Sequence, residues 1–102
     1  MHNVHMEVRF EWDDEKNKEN QRKHGVSFEE AITIFVNLPL EVFFDPDHSI
    51  DEERYIAIGV SEKSRVLLVV HCENEKGSVV RIISARKATK REQRDAFGRT
   101  WS

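Results

Sequence analysis

The residues best equipped for chemistry are two adjacent pairs, Lys23-His24 and Glu53-Arg54, and a basic stretch that opens with Arg81, Ser84 and Arg86. Cleaving an RNA phosphodiester without a metal needs a base for the 2′-hydroxyl proton, cations to stabilise the phosphorane, and an acid for the leaving 5′-oxygen. His, Glu, Lys and Arg fill those roles. Each candidate also has a plainer reading. A cation at a helix C-terminus offsets the dipole by about 0.3 to 1 kcal/mol, which alone would account for Lys23 and His24. Arg54 shares a strand face with Ile56 and Ile58, and either pairs with Asp51, Glu52 or Glu53 or projects over the sheet end. Alternation points Arg81 and Ile83 one way and Val80, Ile82 and Ser84 the other. If it persists, Arg86 leaves the face of Arg81, so their grouping stays open. His71 shares a face with Arg65, Leu67 and Val69 and is either a hydrogen-bonded core histidine or a group entering a cleft beside Arg81.

Metal chemistry has little to build on. His24, His48 and His71 lie on separate elements, Cys72 is the one cysteine, and no H-x-x-x-H or C-x-x-C spacing occurs. Asp45-Pro46-Asp47-His48 is a conceivable ion-binding loop but equally ordinary turn chemistry. No cofactor is expected.

The elements that must position these groups are legible in outline. Val8 and Phe10 alternate with charged residues as a short strand, and Asp13 or Asp14 caps a helix running to about Lys23. His24-Gly25 ends it, with glycine where a left-handed backbone is best tolerated. Ser27 and Glu30 form a capping box ahead of a second helix that stops before Pro39, giving a helical hairpin. Phe28, Ile32 and Phe35 make its buried stripe, and Trp12 is a core or partner-facing aromatic. Four strands follow, at 41–44, 53–61, 65–73 and 78–85, with Arg65 to Val70 as the central one. The short links Glu62-Lys63-Ser64 and Asn74-Glu75-Lys76-Gly77 suit hairpins, so the sheet should be mainly antiparallel. Thr89 and Glu92 form another capping box and start a terminal helix to about Phe97. Such segregation predicts an α+β domain, an antiparallel sheet packed by an N-terminal helical hairpin and a C-terminal helix.

At 102 residues a single domain spanning 1–102 is expected, with 1–6 and 99–102 as candidates for disorder. The N-terminus MHNVHMEVRF lacks the apolar run of a signal peptide, no stretch is long enough to span a bilayer, and a lone cysteine forms no internal disulfide. Cytoplasmic residence is the expectation. A net charge of −3 argues against nucleic-acid binding only until the charges are placed. Residues 41–54 carry six acids against Arg54, whereas 81–99 carry seven bases against Glu92 and Asp95. Screening confines each patch to about 8 Å, so Lys87, Lys90, Arg91 and Arg94 can form an RNA-binding face on an acidic molecule, or merely a solvated helix face.

The order of these blocks resembles the BrnT toxins. The resemblance runs through Phe10-Glu11-Trp12-Asp13, Asn20, Lys23-His24-Gly25-Val26-Ser27-Phe28, Asp45-Pro46-Asp47-His48-Ser49, Glu52-Glu53-Arg54, Ile58-Gly59, Arg65-Val66-Leu67 and Arg81-Ile82-Ile83-Ser84-Ala85-Arg86 to Glu92. It implies a RelE-like fold, RNA cleavage that arrests translation and growth, and neutralisation by a BrnA-type antitoxin with a ribbon-helix-helix domain. It also implies a 2:2 complex that represses its own operon, with operator DNA contacted mainly through the antitoxin. The family's motifs fall on Lys23, His24, Glu53, Arg54, Arg81, Ser84 and Arg86. On this reading Arg54, Arg81 and Arg86 bind the scissile phosphate, with Lys23 or His24 and Glu53 as proton-transfer groups. His71 stands where the family pattern often has another polar or aromatic residue, so no shared role is carried to it. The competing expectation, favoured by the acidic composition, is a non-catalytic module on the same fold that binds an antitoxin or nucleic acid.

Overall fold

The structure, a computed structural model, describes residues 8–48, 52–74 and 76–100. The expectations for residues 1–6, for Ser49, Asp51 and Glu75, and for 101–102 lie outside them.

Asp13 accepts a hydrogen bond from the Lys16 amide and caps α1 (Asp14–His24), which stops at Gly25 with φ 68°. Glycine meets no steric penalty there. Ser27 caps α2 (Phe28–Ile32) by accepting from the Glu30 amide. The expected second helix of the hairpin is only five residues long and tightens into a 3-10 turn at Thr33–Val36. The capping box is also half made, because the Glu30 carboxylate turns inward to other partners described below.

Among the described residues one five-stranded sheet forms, from β1 (Arg9–Glu11), β2 (Leu40–Phe44), β3 (Glu53–Val60), β4 (Val66–Glu73) and β5 (Val79–Lys87). Their order is β1-β5-β4-β3-β2, antiparallel except for the parallel β1–β5 pair. The apolar run at 66–70 lies mid-sheet, as its lack of polar alternation predicts. α3 (Lys90–Phe97) follows a complete capping box of Thr89 and Glu92 and ends at Gly98.

The first face of the sheet carries the main core. Leu67, Val69, Ala57, Val80, Ile82 and Ala85 pack there against Val26, Phe28, Ala31 and Ile34, with Trp12, Ile32 and Phe35 partly buried around them. A Cβ at Gly59 would lie 3.0 Å from Ile34 Cβ, so a side chain there would push the 3-10 turn off the sheet. The second face has a smaller cluster, Ile58, Val60, Val66 and Leu68, covered by Ala96 and Phe97 of α3. α3 shields one end of this face.

Two buried asparagines lock α1 into place. Asn20 donates 2.8 Å bonds to the Val26 and Ala85 carbonyls and accepts from the Ala85 amide at 3.1 Å. β1 pairs only with 79–81, so beyond it Asn20 supplies the backbone partner that a neighbouring strand would give. Asn17 accepts from the Phe28 amide at 2.9 Å and donates to Glu29 at 2.8 Å. Together they fix the end of α1, where Lys23 and His24 sit, against the edge of β5.

Candidate active site

The second face is built by a register shift. Cys72 lies opposite Arg81 and Leu68 opposite Arg86, while between them Val70 faces Ser84 and His71 faces Ile82. Ile83 is therefore the extra residue of a β-bulge. Without it, Arg81 and Arg86 would point to opposite sides, since side chains alternate and five is odd. With it, both project on the side of Leu68, Val70 and Cys72. Arg54, opposite Cys72 on β3, joins them. Arg54, Cys72 and Arg81 thus form one cross-strand row, with the two arginines two strand spacings apart, about 10 Å. Arg86 lies four β4 residues along, about 13 Å, and Ser84 occupies the row between.

Two of these arginines are held by carboxylates. Arg86 makes a two-pronged contact with Glu92, at 2.8 Å for each bond, and Glu92 also accepts from the Thr89 amide at 2.9 Å. The hydrogen bonds from Arg86, opposed by partial burial and helped by Thr89, hold the Glu92 carboxyl down to about 2. The same contact pushes the Arg86 guanidinium up. Arg81 pairs with Glu52, and both side chains are substantially solvated. Glu92 was legible in the sequence as a cap, whereas its hold on Arg86 depends on α3 folding back over β5.

Lys23 and His24 approach from the β5 edge. With Glu19, Asn20, Ile83 and Ser84 they line a shallow depression of about 190 Å³. Ser84 connects the two groups, because it lines this depression and its register sets it on the arginine face. Lys23 sits 3.6 Å from Glu19, an exposed pair that constrains it little. Glu53 lies apart, opposite Glu73 on the first face. Lys87 also belongs to the first face by register with Leu67, at the exposed strand end. Lys90, Arg91 and Arg94 are exposed along α3, with Arg91 4.0 Å from Asp95.

Of the two readings open for His71, the structure gives the hydrogen-bonded core histidine and not the cleft beside Arg81. It is fully buried on the first face, opposite Ile82 and not beside Arg81. Its ring lies 5.0 Å from Phe35, edge-on, and 5.6 Å from Tyr55, stacked. Nε2 lies 2.9 Å from Glu73 Oε2 and carries the proton donated to it, while buried Nδ1 has no hydrogen-bond partner among the described residues. Burial, then the charges of Glu53 and Glu73, push the neighbouring Tyr55 phenol up.

Arg65, equally prominent in the sequence, belongs to the framework. It grips both Glu30 oxygens and donates to the Gly25 carbonyl at 3.0 Å, while Ser61 donates to Glu30 at 2.7 Å. Burial would raise the Glu30 carboxyl, yet the bonds from Arg65 and Ser61 outweigh it and hold it low.

Among the described residues no three His, Cys, Asp or Glu side chains form a group able to hold a metal. A cationic face beside a Lys-His pair is suited to binding and cleaving a polyanion. Comparison with known proteins points the same way: the family described as the ribonuclease toxin BrnT of type II toxin-antitoxin systems matches residues 12–92. The chain belongs to the BrnT family. It is thereby a ribonuclease toxin whose activity is countered by an antitoxin. The fold is similar to the 1.1 Å crystal structure of the Brucella abortus ribonuclease toxin BrnT, with a TM-score of 0.60 and 24% identity. That match covers 80% of this chain and 97% of the Brucella chain. A search of curated proteins gives no match. Among the described residues no helix is long and apolar enough to cross a membrane.

Proposed function

We propose that this BrnT-family chain is a metal-independent endoribonuclease that cleaves RNA by attack of the 2′-hydroxyl, acting in the cytoplasm to inhibit translation. The observation that carries this reading is the bulge at Ile83, which gathers Arg54, Arg81 and Arg86 on the face that carries Ser84. Phosphates of a single strand lie across the arginines, which stabilise charge on the phosphorane. Lys23 and His24 reach the same place from the helix end and supply the proton transfers, with Ser84 orienting the substrate. Glu53, on the opposite face, has no direct part in this arrangement. Lys90, Arg91 and Arg94 on α3 extend the cationic surface for flanking RNA, whereas Lys87, on the opposite face, has no direct part in it.

The test is cleavage of a defined RNA in EDTA by the protein and by a folded Arg81→Ala, Arg86→Ala double variant. Cleavage that the variant loses supports the reading; cleavage that EDTA abolishes, or that the variant retains, removes it. A second reading, a non-catalytic binding module, is favoured by the carboxylates already on Arg81 and Arg86. It predicts no RNA turnover and no growth arrest when the chain is expressed alone. For the partner we propose a BrnA-type ribbon-helix-helix antitoxin in a 2:2 complex, with operator DNA contacted through the antitoxin.

A further inference from the structure

A groove on the first face, across the sheet from the arginines, is built differently from any part of the proposed RNA site. It encloses about 430 Å³. Val8 and Phe10 form one side, Phe35 and Val36 the lip at the end of the 3-10 turn, Val42 a further wall, and Glu73 the carboxylate within. Within its lining, Val36 is 80% exposed and Val8 and Val42 are 45% and 43% exposed. On a chain that is 34% charged, a cluster of exposed apolar side chains marks an interaction site.

The carboxylate decides what kind. Glu73 is held by His71, itself fixed between Phe35 and Tyr55, so its charge is pinned in an apolar surround. Glu53, opposite it in register, adds a second negative charge on this face. Apolar walls with a fixed anion select an apolar ligand that carries one cation, and they repel a phosphate chain. RNA is thereby disfavoured here, and a protein segment fits.

We propose that this groove seats the protein antitoxin, taking an amphipathic segment whose apolar side chains enter beside Phe35 and Val42 while a Lys or Arg lands on Glu73. The inference rests on the toxin-antitoxin reading and adds to it where the partner docks. Because the groove and the arginines lie on opposite faces, antitoxin anchoring and RNA binding are separable by substitution.

The experiment titrates purified protein with a purified ribbon-helix-helix antitoxin of the BrnA type, using Val36→Glu, Val42→Glu and Glu73→Gln variants whose thermal unfolding and free RNA cleavage are checked first. Val36→Glu and Val42→Glu should each weaken antitoxin binding by roughly 30-fold, since each sets a charge into the apolar contact. Glu73→Gln should weaken it by about tenfold and flatten its salt dependence. Cleavage by the free variants should match the unsubstituted protein. Wild-type affinity in all three, with binding lost instead in Arg81→Ala, would move the antitoxin to the other face and overturn the proposal. A Val36-dependent dimer of the free chain in sedimentation would give the groove to a second copy and equally overturn it. If the unsubstituted protein binds no antitoxin at all, the toxin-antitoxin reading fails before the groove is tested.

Discussion

The two faces of the sheet hold their polar residues in opposite ways. On the first face Asn17, Asn20, Glu30 and His71 are buried, and Asn20 and Glu30 in particular bind fixed partners on separate elements. On the second face Arg81 and Arg86 pair with carboxylates at partly solvated positions. A buried pair that loses one member costs about 3 to 5 kcal/mol, whereas an exposed pair contributes about 0 to 1 kcal/mol. The first arrangement fixes a shape, while the second keeps cations in place through contacts weak enough to exchange. Substitutions on the first face should therefore cost stability, and those on the second should cost activity.

The largest effect should come from Arg65→Ala. It strips the cation from a carboxylate that is 2% exposed, and urea unfolding should show a loss of about 3 to 5 kcal/mol. A loss under about 1 kcal/mol would mean the pair behaves as a surface contact and would blur the distinction between the faces. Next is Arg81→Ala, which should lower kcat/KM for RNA by about 10²- to 10³-fold, the usual consequence of removing a charge-stabilising donor. Its unfolding free energy should move by less than about 1 kcal/mol, because only the exposed Glu52 contact is lost. Asn20→Ala sits between the two classes. It orphans the Ala85 amide and two carbonyls, so a loss of about 2 to 3 kcal/mol is expected. Amide exchange at Ala85 should accelerate, and cleavage should weaken as Lys23 and His24 lose their seat.

Much of the framework could be read from the chain because it is written in local signals. Asp13, Ser27 and Thr89 are caps whose partners lie three residues away, and Gly25 meets a backbone need of its own. The apolar run at 66–70 needs cover on both faces wherever it lies. What could not be read depends on partners distant in sequence. Glu30 has the spacing of a reciprocal cap, but Arg65, 35 residues on, takes its carboxylate. The bulge at Ile83 leaves the β-rich pattern of β5 intact, so alternation alone splits Arg81 from Arg86, and only the pairing with β4 reunites them. Lys23, His24, Ser84 and the arginines were nameable as candidates, while Glu92 and Glu52 as their counter-charges required the fold.

The smallest effect, and the one that best probes the second face, is the acid response of the Arg86–Glu92 contact. An unfolded glutamate titrates near 4.3, and in the folded protein Arg86 holds Glu92 down to about 2. A carboxyl whose folded value lies below its unfolded one stabilises the fold at higher pH. Its contribution is complete above about 4.3 and disappears as pH falls towards 2. Glu30 is also held below its ordinary value, so it too contributes stability that is lost on acidification. Glu92→Gln separates them: it keeps the amide oxygen for Thr89 but removes the charge facing Arg86. With the pair partly solvated, the variant should be about 1 kcal/mol less stable at pH 7, and the gap should close as pH approaches 2. If the gap is instead constant with pH, the cost is lost cap geometry and the charge on Glu92 is immaterial. The same variant sharpens the functional side, since Arg86 freed from its carboxylate should bind RNA phosphate more readily but less directionally, and KM should fall while kcat falls with it.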